Sequence, residues 1–238
     1  MSKERYHHGE LRAALLDAAE TLVRERGVDG WSLREASARV GVSPSAAYHH
    51  FDSRDALVRS LSDRVIARLG ERLRRAAHRA SGEHPHRRLI AYGRSYVRWA
   101  LEDPAVARLA FAAGRADLRT PIAPHPHDVL AAELDRLVDT GELPSAARPG
   151  AEFVVWAAVH GLATLLIDGL VQLDGPRAVD REAERLLDAV LTGLAREQPP
   201  ARPWPTPRSA HSQRLAAPAE TPAGGNTGSD AGHSSPSP

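Results

Sequence analysis

The chain of 238 residues sets 31 lysines and arginines against 30 acidic residues, is 42% hydrophobic and contains no cysteine. That length and apolar fraction suit one or two globular domains, while the missing thiols exclude disulfides, thiolate zinc sites and cysteine nucleophiles. The longest apolar run, 153–167, is broken by His160, Gly161 and Thr164, and the charged start MSKERYHHGE lacks a signal-peptide core, so a soluble cytoplasmic protein with no membrane partner is expected.

The first helix, with Leu11, Leu15, Ala18 and Leu22 on one side, is expected to end near Gly27. Ser32 and Glu35 are spaced as a capping box, in which the serine oxygen and the carboxylate each satisfy a free backbone N–H. Leu33, Ala36 and Val40 then share a face, and the Ser37 hydroxyl can bond the carbonyl four residues back. Gly41 offers the left-handed stop, and Ser43 with Pro44 restarts a helix as N-cap and first residue. Only a short turn fits between the two, which makes residues 32–51 a helix-turn-helix. Asp52 or Ser53 caps the next helix, Arg54 to about Arg79, along the stripe Leu57, Leu61 and Val65.

Beyond the break SGEHPH, a helix starting near residue 85 carries Leu89, Tyr92, Tyr96 and Trp99 and ends at Asp103-Pro104. Helices are expected at 106–113 and 128–139, then two long ones at 151–170 and 180–196 joined by the turn QLDGPR. No segment reads as strand. From Gln198 onward Pro, Ala, Ser, Gly and Thr dominate and half of the chain's prolines occur, a composition too poor in apolar surface to repay ordering. The expected plan is all-α: a three-helix domain at 1–55, a helical domain at 56–197 and a disordered tail at 198–238.

The ordered run Gly27, Leu33-Arg34, Gly41-Val42-Ser43, Tyr48, His50-Phe51 and Ala56-Leu57 resembles the DNA-binding domain of the tetracycline-repressor (TetR/AcrR) family of bacterial transcription regulators. Ala36 and Ser37 depart from it, where the family usually has a larger aliphatic residue and alanine. The resemblance implies a homodimeric regulator, usually a repressor, that reads a near-palindromic double-stranded DNA operator and is released by a small-molecule effector, with no catalysis, cofactor or metal. It implies that Arg34 reaches a base edge, where a guanidinium can bond guanine O6 and N7 for about 1–3 kcal/mol of discrimination. Tyr48, His50 and Arg54 match phosphate contacts. Ser32, Ser43, Ser45, Ala46 and His49 complete the expected DNA-binding set, with packing and capping as the alternative role for the serines.

Trp156, His160 and Gly161 resemble the Trp-x-x-x-His-Gly (WHG) C-terminal domain type of a subset of the family. In the family the last two helices pair with those of a second copy, which assigns Ala157, Gly161 and Thr164 and the stripe Leu187, Val190, Leu191 and Leu194 to that interface. Tyr92, Tyr96, Trp99, Phe111, Trp156 and His160 can line an effector pocket or can simply be core, with His160 satisfied by one hydrogen bond. The pairs His84-Pro-His86 and His125-Pro-His127 lack carboxylate partners and are not read as a metal site. Residues 1–60 hold nine basic and nine acidic residues, so a sensorless architectural DNA-binding protein, which needs a strongly basic surface, fits less well. A helical enzyme fits less well still, since His160 with Asp168 has no third group.

Overall fold

Serine, proline and glycine punctuation sets the helix ends in the computed structural model, which describes residues 2–80, 86–112 and 122–196. Helix α1 (Ser2–Arg26) stops at Gly27, φ 78°. Helix α2 (Leu33–Val40) starts with the full capping box: Ser32 Oγ accepts the Glu35 N–H at 3.3 Å, and Glu35 Oε2 accepts the Ser32 N–H at 2.9 Å. It stops at Gly41, φ 82°, where the N–H groups of Gly41 and Val42 satisfy the last carbonyls at Ala38 and Ser37. Any residue with a Cβ is strained there. Ser43 then caps α3 (Pro44–Tyr48), and the Ser37 hydroxyl donates to the Leu33 carbonyl at 2.7 Å.

Ser53 caps α4 (Arg54–Arg79), and α5 (Arg87–Glu102), α6 (Pro104–Ala112), α7 (Pro126–Asp139), α8 (Ala151–Ile167) and α9 (Gly175–Arg196) follow. No strand occurs among the described residues, and none of their helices is long and apolar enough to cross a membrane. Helices α6 and α7 each begin two residues earlier than expected, at Pro104 and Pro126, and two boundaries differ by more. Helix α8 ends three residues early because Gly169, φ 69°, takes the left-handed cap position, with the Leu170 N–H bonded to the Leu165 carbonyl. Helix α9 begins five residues early because Pro176, read as part of the turn, sits in its first turn, where the missing N–H has no partner to lose. The expected tail, the end of the 106–113 helix and His84 lie outside the described residues.

Two hydrophobic cores share α4. The first gathers Leu15, Leu22, Trp31, Leu33, Ala47, Phe51, Leu57 and Leu61 with Val106, Leu109 and Ala110 of α6. The second gathers Leu69 and Leu73 with Leu89, Tyr92, Tyr96, Leu130, Leu134, Val155, Val159, Leu187 and Leu191. Trp99 packs against both. Helix α9 lies so close to α5 that a Cβ on Gly93 would fall 2.5 Å from Leu187 Cδ1. Between α5 and α7 the 5%-exposed Glu133 takes two hydrogen bonds from Arg88, at 2.6 and 2.7 Å. Burial pushes the Glu133 carboxyl up, but Arg88 and Arg136 outweigh it and hold the group below the usual carboxylate range.

Candidate functional site

Helix α2 turns Leu33, Ala36 and Ser37 into the first core and Arg34 outward, where no hydrogen bond or ion pair restrains it among the described residues. Helix α3 buries Ala47 and exposes Ser45, Tyr48 and His49, with Ala46 and His50 half-buried. Tyr48 is 48% exposed, a high value for an aromatic side chain. The small residues at the start of α3 let its backbone approach a surface closely, while Arg34, Tyr48 and His49 supply donors around it. Ser32 and Ser43 are spent on capping. Neighbouring basic residues are neutralised: Arg39 pairs with Glu25 at 2.8 Å, and Arg26 pairs with Glu35. The Glu35 carboxyl is held low first by the Ser32 hydroxyl and then by Arg26.

Arg54, expected as a phosphate contact, has its guanidinium engaged within the chain. Its Nε donates to the Trp31 carbonyl at 3.0 Å, its Nη2 donates to the Val28 carbonyl, and its guanidinium lies 4.9 Å above the Trp31 ring. The side chain therefore clamps the turn between α1 and α2 onto the start of α4. Carbonyls presented by a folded turn leave no trace in residue types or spacing.

In the second domain α5, α6 and α8 bring five expected residues together. The Tyr96 ring meets Trp156 edge-on at 5.2 Å, Phe111 meets Trp156 at 5.6 Å and His160 at 5.0 Å, and Trp156 and His160 stack within 7° of parallel. Trp99 stands against Tyr96 and Phe111 at 5.9 and 6.4 Å. The Tyr96 hydroxyl and His160 Nδ1 share a 2.7 Å hydrogen bond. Burial raises the Tyr96 pKa and lowers that of His160, so both are neutral partners in that bond. The sixth, Tyr92, is fully buried elsewhere in the core and donates to the Pro126 carbonyl at 3.1 Å, so it belongs to the α5–α7 packing and not to the aromatic cluster.

The expected pairing surface divides. Leu187, Leu191 and Leu194 are 0%, 1% and 5% exposed within the single chain and packed in the core that includes α5 and α8, which takes Leu187 and Leu191 out of the expected pairing surface and leaves Leu194 only at its border. An outer helix of a bundle carries the same apolar spacing whether its stripe faces its own chain or another, so the pattern could not separate the two. What remains outward is Phe153, Ala157, Thr164 and Leu165 on α8 around the half-buried Gly161, with Ala189 and Gly193 on α9 beside the half-buried Val190. Val154, Ala189, Val190, Gly193, Leu194 and Arg196 line a shallow apolar hollow. A Cβ on Gly161 or Gly193 would meet nothing within 4 Å, so neither glycine is required by packing inside the chain. Phe153, Leu165, Ala189 and Gly193 were absent from the expected interface. Among the described residues no group of three or more His, Cys, Asp or Glu is arranged to hold a metal ion.

Comparison with known proteins supplies the family. Residues 15–61 match the family described as bacterial regulatory proteins, tetR family, and residues 89–190 match the tetracyclin repressor-like C-terminal domain. An HTH-type transcriptional repressor of Mycobacterium tuberculosis is 35% identical over 101 residues, covering 42% of this chain and 52% of that protein. The chain thus spans about half the length of the curated relatives it matches in that way. A solved protein of unknown function from Rhodococcus sp. RHA1 is 30% identical, covers 80% of this chain and 98% of its own, and superposes with a TM-score of 0.66. A TetR-family regulator from Pectobacterium atrosepticum has the same fold at 22% identity, with a TM-score of 0.61 over 82% of this chain and 98% of that one. The chain belongs to the TetR family of transcription regulators.

Proposed function

We propose that the protein is a homodimeric, ligand-responsive transcriptional repressor that reads a near-palindromic DNA operator through α2 and α3. The observation that carries this reading is the pair Arg34 and Tyr48, both exposed on an α2–α3 unit whose every buried residue faces the other way. With charge balanced across the head, affinity depends on placement of a few donors and not on a basic field. Arg34→Ala is expected to relax base preference, while Tyr48→Phe weakens binding to all sequences alike, because phosphate contacts carry no sequence information. Fluorescence anisotropy on operator and scrambled duplexes measures both, and an Arg34→Ala chain with unchanged preference would remove Arg34 from the base-reading role.

The effector reading is supported by the cluster of Tyr96, Trp99, Phe111, Trp156 and His160, with Phe111 39% exposed at its edge. Such a lining suits an apolar or amphipathic small molecule with one hydrogen-bonding group for the Tyr96–His160 pair. Effector binding releases DNA only through unequal affinity for the two states. A molecule that displaces operator should quench or shift Trp156 emission, and His160→Ala should weaken that response while operator affinity holds. If His160→Ala leaves the response intact, the effector binds elsewhere.

A further inference from the structure

Reading head and regulatory core meet along α1, α4, α5 and α6, where a chain of charges accompanies the apolar packing. Asp103 lies between α5 and α6, and its two carboxylate oxygens have different partners. Oδ1 accepts the Val106 N–H at 3.3 Å and caps α6, while Oδ2 accepts Arg24 Nε of α1 at 2.6 Å. Arg24 also donates from Nη2 to Glu20 at 2.5 Å. Glu20 is 5% exposed, and its other oxygen accepts Arg64 and Arg68 of α4 at 2.9 and 2.7 Å. Burial raises the Glu20 pKa, but Arg68 and Arg24 outweigh it and hold the carboxylate ionised.

We propose that Asp103 is a positioning residue for DNA binding: acting through Arg24, it fixes α1, and with it the reading head, in one orientation on the α5–α6 joint. This rests on the reading of the protein as a dimeric DNA-binding regulator. The apolar contact of Val106, Leu109 and Ala110 with the head is non-directional and resists separation more than rotation. Short charge-assisted hydrogen bonds have fixed geometry. Glu20, buried and charged, must keep its arginine partners, so one end of Arg24 is anchored and Asp103 decides where the other end points. Asp103 also follows Trp99 by one turn, its N–H bonded to the Trp99 carbonyl at 3.3 Å, and Trp99 packs against both cores and edge-on against Phe111 of α6. Movement in the aromatic cluster therefore reaches this joint directly.

The residue types make the idea testable. Serine at 103 can still cap α6 but cannot reach Arg24, so Asp103→Ser removes one of the two interactions. The chain has no cysteine, and Asp52 is exposed on the head, so Asp52→Cys carries a single nitroxide per protomer whose head-to-head distance is read by double electron–electron resonance. Asp103→Ser and Arg24→Gln are each expected to broaden and shift that distance distribution, Arg24→Lys to restore most of it, and Arg72→Gln, which breaks the nearby Arg72–Glu102 pair between α4 and α5, to leave it unchanged. If Asp103→Ser lowers expression of folded chain, Arg24→Gln decides alone. Distributions that superimpose on the parent, or an equal shift from Arg72→Gln, overturn the proposal. A parent chain with no dipolar signal would instead refute the dimer, and a second label at Arg185→Cys on α9 then gives the head-to-core distance within one chain, on which the same comparison decides.

Discussion

Leu187→Ala is expected to unfold the regulatory domain at markedly lower temperature, without acting primarily on assembly. Leu187 is fully buried, its Cδ1 lies where a Cβ on Gly93 would need to be, and Val159 of α8 also borders the Gly93 position. Truncating such a leucine removes its transfer energy and leaves a cavity, about 2–5 kcal/mol together. For a domain of this size each kcal/mol moves the midpoint by about 2–4 °C, so a fall of roughly 4–20 °C is expected. Leu187→Glu is worse, because it puts a carboxylate into the apolar core. Differential scanning calorimetry with sedimentation separates the outcomes. A chain that melts normally but sediments as a monomer would return Leu187 to the pairing surface.

Gly161→Leu is expected to do the opposite, splitting the dimer while sparing the fold. A Cβ at Gly161 meets nothing within 4 Å inside the chain, and a glycine in a helix interior costs about 1 kcal/mol relative to alanine, so the single chain gains from a larger residue. The glycine is useful only if something from outside comes close. On the same face lie the exposed Ala157 and Leu165, and Gly193 of α9 is equally open. A leucine would prop apart two copies crossing there. Because paired heads gain from holding both half-sites at once, loss of pairing should lower operator affinity by about 10²-fold or more. Sedimentation and anisotropy on one variant measure both effects, and a Gly161→Leu chain that stays dimeric with parental affinity would move the interface elsewhere.

The two glycines of this contrast illustrate why their roles were unequally legible. Gly161 is assigned to the pairing surface, with Ala157, through the family resemblance of its helix. Gly93 was not singled out, because its role exists only through Leu187, which stands 94 residues away and on a different helix. Tyr92 illustrates the same limit. Its spacing from Tyr96 and Trp99 placed all three on one helix, but one turn along that helix separates a tyrosine that bonds Pro126 from one that bonds His160.

By itself the sequence determined what local chemistry can determine: the capping box at Ser32, the stop at Gly41, the restart at Ser43 and Pro44, and hence the reading head and its exposed Arg34. Each depends on backbone groups within about five residues, and residue type dictates those groups almost alone. Tertiary structure decided which of two equivalent uses each apolar stripe and each charge received. It sent Leu187, Leu191 and Leu194 inward and left Ala157 outward beside the half-buried Gly161. It drew Arg54 onto the carbonyls of Val28 and Trp31, and Arg24 onto Asp103, 79 positions later. Burial and long-range charge pairing depend on what lies across a helix face, and helical periodicity records that a face is apolar without recording what covers it.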